Sequence, residues 1–126
     1  MERTVVTAPG LPPVIGPYVP AVVAGGFVFC SGIAGFDAGG RVVEGGIREQ
    51  TRQTLRNLEL VLRGAGCDLS HVVKVTIFLH DWKYFKEMNE TYAEFFATNP
   101  PARSTAQGSR YPDGALVAME AIALAP

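Results

Sequence analysis

Charge is scarce in this chain. Lys, Arg, Asp and Glu make up 18% of its 126 residues and nearly cancel, leaving a formal net charge of -1. Such a chain has no overall field to draw it onto nucleic acid or an anionic membrane. Sulfur and imidazole are scarce too. The cysteines are Cys30 and Cys67, and the histidines are His71 and His80. They form no CxxC pair and show no metal-ligand spacing, so buried free thiols are expected rather than a disulfide or a metal site. The chain has no phosphate loop, dinucleotide fingerprint or EF-hand, and no cofactor is expected. Its longest uncharged stretch, Val5 to Phe36, is interrupted by Pro9, Pro12, Pro13, Pro17 and Pro20 and cannot form one spanning helix. The N-terminus lacks the basic start and apolar core of a secretory signal, so a cytoplasmic location is expected. Repeats, low-complexity runs and linkers are absent, and the length suits one domain over residues 1–126.

What is present is a large apolar fraction, 48% of residues, arranged with clear periods. Thr4 to Thr7 is a short extended segment, followed by a proline-rich stretch from Pro9 to Pro20. Ala21 to Ser31 reads as a hairpin turning at Gly25-Gly26 and ending at Ser31-Gly32. Gly35 to Gly46 is rich in turns. From Ile47 the period changes to three- and four-residue steps through Thr51, Leu55, Leu58, Val61, Leu62 and Ala65. This predicts an amphipathic helix closed by Gly64 and Gly66. Val72 to Leu79 is a β-branched strand. Asp81 is a candidate N-cap for a second helix carrying Phe85, Met88, Tyr92, Phe95 and Phe96, stopped by Asn99-Pro100-Pro101. Arg103 to Ser109 reads as extended, Tyr111 to Gly114 as a turn, and Ala115 to Ala125 as a final strand.

The order of elements defines an α+β fold in which two helices cover one face of a sheet. The strands are nevertheless apolar on both faces. In the last, Leu116, Ala118, Ile122 and Leu124 oppose Val117, Met119, Ala121 and Ala123. In the strand before the second helix, Val73, Val75, Ile77 and Leu79 oppose Val72, Thr76 and Phe78. A sheet apolar on both sides with helices for only one predicts a partner chain on the open face, hence a homo-oligomer.

Several polar residues stand out against this pattern. Glu120 falls mid-strand between Met119 and Ala121. A carboxylate there sits on a wet part of the face, makes a structural salt bridge, or is a raised-pKa group that holds a proton or a water. Arg103 follows the stiff Pro100-Pro101-Ala102 approach. It is either a surface arginine or a bidentate carboxylate anchor beside Glu120, if the turn at Tyr111 to Gly114 makes a hairpin of the last two strands. Asn89 lies beside the apolar stripe of the second helix and is expected to face inward or toward a neighbour. Tyr18 sits in a loop stiffened by prolines, where it packs or stands over a site. Ser31 ends a strand without a nucleophile elbow around it, and a turn-forming role competes with a chemical one.

Taken together, Ile15-Gly16-Pro17-Tyr18, Phe29-Cys30-Ser31-Gly32, Val73-Lys74-Val75-Thr76-Ile77-Phe78, Met88-Asn89-Glu90-Thr91-Tyr92 with Phe95-Phe96, Pro101-Ala102-Arg103-Ser104 and Glu120-Ala121-Ile122-Ala123 resemble the Rid (YjgF-type) family. The likeness spans nearly the whole chain. It implies a chorismate-mutase-like mixed sheet with two helices on one face, assembled as a homotrimer with sites in the clefts between subunits. It also implies hydrolytic deamination of 2-iminobutanoate, 2-iminopropanoate and their enamines to 2-keto acids and ammonia, without a cofactor. The family's arginine matches Arg103, and its tyrosine, serine, asparagine and glutamate match Tyr18, Ser31, Asn89 and Glu120.

A 2-imino acid presents a carboxylate beside an electrophilic carbon, which suits that set. Arg103 would hold the carboxylate and position the carbon. Glu120, with Ser31, would orient water and pass a proton. Tyr18 and Asn89 would shape the pocket. Two positions depart from the archetype, Ile33 where Gln is common and Thr105 where Cys is common, and both bear on substrate range. The alternatives are a related deaminase of a larger amino-substituted unsaturated acid and a non-catalytic member that binds a small carboxylate. No nucleic-acid or membrane partner is expected.

Overall fold

A computed structural model describes residues 2–108 and 111–126. Its elements run β1 (Thr4–Val6), β2 (Ala21–Ala24), β3 (Phe27–Ala34), α1 (Gly46–Gly64), β4 (Val72–Leu79), α2 (Phe85–Phe96), β5 (Ala102–Gln107) and β6 (Val117–Leu124), with 3-10 turns at Leu69–His71, Trp82–Tyr84 and Pro112–Gly114. The strands form one six-stranded sheet in the order β1-β2-β3-β6-β4-β5. All neighbours are antiparallel except β4 and β5, which are parallel.

Local chemistry accounts for most boundaries. Gly25 and Gly26 both take positive φ, 59° and 85°, as a two-residue hairpin turn requires. Helix α1 buries Ile47, Leu55, Leu58, Val61 and Leu62. It ends in a Schellman motif. The Cys67 N–H donates to Leu62 O and the Gly66 N–H to Arg63 O, each at 3.0 Å, with Gly66 at φ 83°. The Asp81 carboxylate accepts from Lys83 N at 2.8 Å, and so caps the 3-10 turn that leads into α2.

Both helices lie on one face of the sheet. The core beneath them contains Val28, Val75, Ile77, Leu79, Val117 and Met119, all at 0% exposure. The helices are joined on their outer side by Arg48 with Glu90 and Arg52 with Glu94, each at 2.8 Å. These exposed pairs orient the helices more than they stabilise them. The opposite face of the sheet carries Val5, Phe27, Phe29, Val73 and Leu124, exposed by 38–48%. No helix among the described residues is long and apolar enough to cross a membrane. Cys30 and Cys67 are buried and unbridged, and burial pushes the Cys30 thiol up to about 12.

Four expectations need correction. The first hairpin does not end at Ser31-Gly32. Strand β3 runs on to Ala34, because a bulge between Cys30 and Ile33 carries it past the end of β2 along β6. A second irregularity between Val72 and Lys74 shifts the phase of β4, so Val72 is buried and Val73 exposed, the reverse of simple alternation. Strands β5 and β6 do not form a hairpin, since β4 separates them. Finally, β5 stops at Gln107, and Ser109, the last residue of the expected extended segment, lies outside the described residues.

The start of α1 is fastened to the end of β3 by close contact and by a buried amide. A Cβ on Gly35 would lie 2.7 Å from Gln50 O, so only glycine allows this approach. Asn57, 1% exposed, donates through Nδ2 to Ala34 O at 3.0 Å and to Phe36 O at 2.9 Å. Asn57→Ala leaves both carbonyls without that donor and opens a void. The expected cost is about 2 kcal/mol, read as a lowered urea midpoint with an unchanged m-value. An unaltered midpoint contradicts the assignment.

Candidate active site

The fold gathers the expected site residues into two groups. The first is on the loop before β2 and on β3 and β6. Tyr18, Ser31 and Ile33 line one cleft of about 110 Å³, with Val14, Pro20 and Phe36. The Ser31 hydroxyl donates to Val19 O at 2.6 Å, and its backbone N–H donates to Pro20 O at 2.9 Å. These bonds tie the middle of β3 to the proline-rich loop rather than forming a turn, and the oxygen's lone pairs remain able to accept. Ile15 N donates to the Tyr18 hydroxyl at 3.5 Å, a long bond that ties the ring to its own loop.

Glu120 joins this group through the bulge in β3. Cys30 pairs with Ala121 and Ile33 with Met119, so Ser31 and Gly32 together stand opposite Glu120. The side chain is exposed on the open face, rather than enclosed as a buried carboxylate would be. It lines a shallow cleft with Phe29, Lys74 and Thr76. Thr76 is its partner on β4, and Ser104 is the partner of Thr76 on β5, so a polar row crosses the middle of the apolar face. Lys74 Nζ donates to Ser104 Oγ at 3.3 Å.

The second group is on α2 and β5. Arg103 pairs with Val75 and Thr105 with Ile77, residues of the helix-covered face. Arg103 thus lies on the opposite face of the sheet from Glu120, two strands away, and the expected juxtaposition of the two does not occur within one chain. The guanidinium carbon sits 4.8 Å from the ring centre of Tyr92 and 5.8 Å from that of Phe85. These cation–π contacts hold the group in place without neutralising it. Among the described residues it forms no ion pair, whereas Arg48, Arg52 and Arg63 each hold a glutamate.

Asn89 is exposed rather than inward-facing. It follows Phe85 by four residues and precedes Tyr92 by three, so it shares a helix side with the two rings that touch Arg103. Phe85 and Tyr92 were visible in the sequence only as an apolar stripe, and their contact with a cation carried no signal there. Three strand steps separate β3 from β5, about 14 Å at ordinary strand spacing, so Ser31 and Arg103 of one chain cannot grip one small molecule. Among the described residues, no group of three or more His, Cys, Asp or Glu is placed to hold a metal ion.

Fold and site together define a chorismate-mutase-like α+β domain bearing an unneutralised, aromatically bracketed arginine. The family described as Endoribonuclease L-PSP matches residues 10–125, and the chain belongs to it, the Rid (YjgF-type) family. A RutC family protein of Pyrococcus horikoshii is 43% identical over 96% of this chain and 97% of its own length. The human 2-iminobutanoate/2-iminopropanoate deaminase is 38% identical over 97% of this chain and 90% of its own. The crystal structure of Escherichia coli TdcF with bound serine superimposes with a TM-score of 0.91 at 31% identity, covering 98% of this chain and 99% of that one.

Among the described residues the buried Tyr92 hydroxyl has no hydrogen-bond partner, and burial pushes its ionisation up to about 12. An unfolded tyrosine ionises near 10. The folded state keeps this proton longer, so the contribution to stability is complete below about pH 10 and is lost as pH rises toward 12. Tyr92→Phe removes the orphan hydroxyl and keeps the ring against Arg103. Its melting temperature should equal or exceed the parent's at pH 7, with a shallower loss above pH 10. A lower melting temperature at pH 7 would show that the hydroxyl is satisfied.

Proposed function

We propose that this protein hydrolyses 2-imino acids and their enamine tautomers, products such as 2-iminobutanoate and 2-iminopropanoate, to 2-keto acids and ammonia. The observation that carries the proposal is Arg103, a guanidinium bracketed by the Tyr92 and Phe85 rings and left without a carboxylate partner among the described residues. Such a group is ready for a substrate carboxylate, which it can grip through two parallel N–H···O bonds. The deaminase name carried by the human relative supports the reaction class, and the serine bound in TdcF supports a small carboxylate as ligand.

Each step of the chemistry has a residue to serve it. With the carboxylate on Arg103, the adjacent imine carbon is held in place for attack. Glu120 takes a proton from water as the oxygen adds to the carbon of the protonated imine, which forms a neutral carbinolamine. Ser31, whose own proton is committed to Val19, accepts a hydrogen bond and orients the water. Glu120 then returns that proton to the nitrogen, and as the C–N bond breaks and ammonia leaves it takes up the hydroxyl proton, so that the carbonyl forms. Tyr18 and Ile33 line the wall beside the reacting centre, and Asn89 and Thr105 flank the arginine.

Because Arg103 and Glu120 occupy opposite faces of the sheet, the working site combines Arg103 of one copy with Tyr18, Ser31 and Glu120 of another. The apolar open face supplies the contact, and the assembly we propose is a homotrimer with three equivalent clefts. Its sheets face inward and its helices outward.

The direct test couples a purified threonine dehydratase to this protein and follows loss of 2-iminobutanoate. Arg103→Ala should lower kcat/KM by about a hundredfold or more, with Arg103→Lys recovering only part. Decay no faster than in buffer, or full activity in Arg103→Ala, overturns the proposal. The composite site has its own test. Arg103→Ala and Glu120→Gln chains should each be inactive alone. Unfolded and refolded together at equal amounts, they should regain activity, since roughly a quarter of the clefts would then be intact in a head-to-tail ring. No recovery, or a stable monomer by light scattering, rules out a site shared between copies.

A further inference from the structure

The Arg103 site has an aromatic neighbour that the reaction itself does not require. Trp82 is the one tryptophan of the chain. It is 49% exposed and is not among the residues packed on the hydrophobic core. Its ring stacks on that of Phe85, 4.8 Å between centres and 15° from parallel. Phe85 in turn touches the Arg103 guanidinium.

The position of Trp82 is pinned from two sides. Its backbone N–H donates to Gln107 Oε1 at 2.8 Å, which fastens it to β5, the strand that bears Arg103. The Asp81 cap holds the 3-10 turn that presents it. Held half in water on a braced turn, the ring keeps an apolar face open to a flat ligand. Beside a cation that binds carboxylates, the group that fits is the remainder of the carboxylate-bearing molecule.

We propose that Trp82 determines substrate choice at this site. Its open ring face, backed by Phe85, forms an aromatic wall that favours 2-imino acids, and the 2-keto acids they yield, whose side chain is flat or conjugated, over those with a one- or two-carbon aliphatic side chain. This rests on the reading above, in which Arg103 holds the substrate carboxylate. Stacking on the wall adds contact that a methyl or ethyl group cannot make, and aromatic pairs of this kind contribute about two- to tenfold in affinity.

The experiment is a calorimetric titration of the intact protein with two product-like probes, phenylpyruvate and pyruvate. The parent and the Trp82→Ala, Trp82→Phe and Arg103→Ala variants are compared. The parent should prefer phenylpyruvate. Trp82→Ala should reduce the ratio of the two affinities about two- to tenfold, and Trp82→Phe should restore most of it, which a general loss of fold would not allow. Phenylpyruvate should also quench the single tryptophan of the parent more strongly than pyruvate does at equal occupancy. With imines generated in situ from phenylalanine and alanine by an amino acid oxidase, the variant's loss should appear in KM for the aromatic imine rather than in kcat. An unchanged affinity ratio in Trp82→Ala, while Arg103→Ala abolishes binding of both probes, overturns the role of Trp82 alone. Unchanged binding of both probes in Arg103→Ala overturns the carboxylate anchor beneath it.

Discussion

Parallel pairing of β4 with β5 is the constraint on which the arrangement of this molecule depends. Two parallel neighbours cannot be joined by a tight turn, and the chain between them must leave one end of the sheet and return to the other. Helix α2 is that return path. Because it crosses on the same face as α1, it lies over β5 and brings Phe85 and Tyr92 down onto whichever β5 side chains point toward the helices. The register selects Arg103 for that face and Ser104 for the other. Had β5 formed a hairpin with β6, no crossover would cover it, and the arginine would lose both rings.

The same constraint separates the charged groups. Arg103 is half-buried under α2, while Glu120 stands on the bare face in the polar row with Thr76 and Ser104. The bare face is otherwise apolar, with Phe27, Phe29, Val73 and Leu124 partly exposed. Two helices have only enough surface for one side of a six-stranded sheet, so the second side is left bare within the chain. On the proposed reading its cover is another copy, and burial of this face brings a neighbour's arginine toward Glu120.

Much of this was legible in the residues. The period of two in β6 assigned Glu120 to the face of Ala118 and Ile122, and the period of 3.6 in α1 gave its buried stripe. Glycine and proline marked the turns because their backbone preferences act locally. What could not be read were features decided by contacts between distant segments. Val72-Val73-Lys74-Val75 gives no local sign of a phase shift, since Val72 and Val73 suit either face equally. The choice of β4 over β6 as the partner of β5 lies in packing, not in the turn at residues 111–114. Asn89 borders an aromatic stripe and so read as facing inward or toward a neighbour; within the chain it is exposed, which rules out only the first. Tyr18, Ser31 and Ile33 shared no sequence signal beyond the family blocks, and they meet because the proline-rich loop folds back on β3.

The division of the site also explains how Arg103 keeps its charge available. Elsewhere in the chain arginines are neutralised where carboxylates are within reach, as Arg48 is by Glu87 and Glu90 and Arg52 by Glu94. A glutamate on the same face of β4 or α2 would do the same to Arg103, and a substrate carboxylate would then have to displace it. Aromatic rings avoid this, since they attract and orient a cation without occupying its hydrogen-bond donors. A carboxylate held on the far face can take part only once a second copy is present. On the proposed reading, separation within the chain preserves both groups for a ligand, and makes the reactive arrangement a property of the assembly rather than of the single fold.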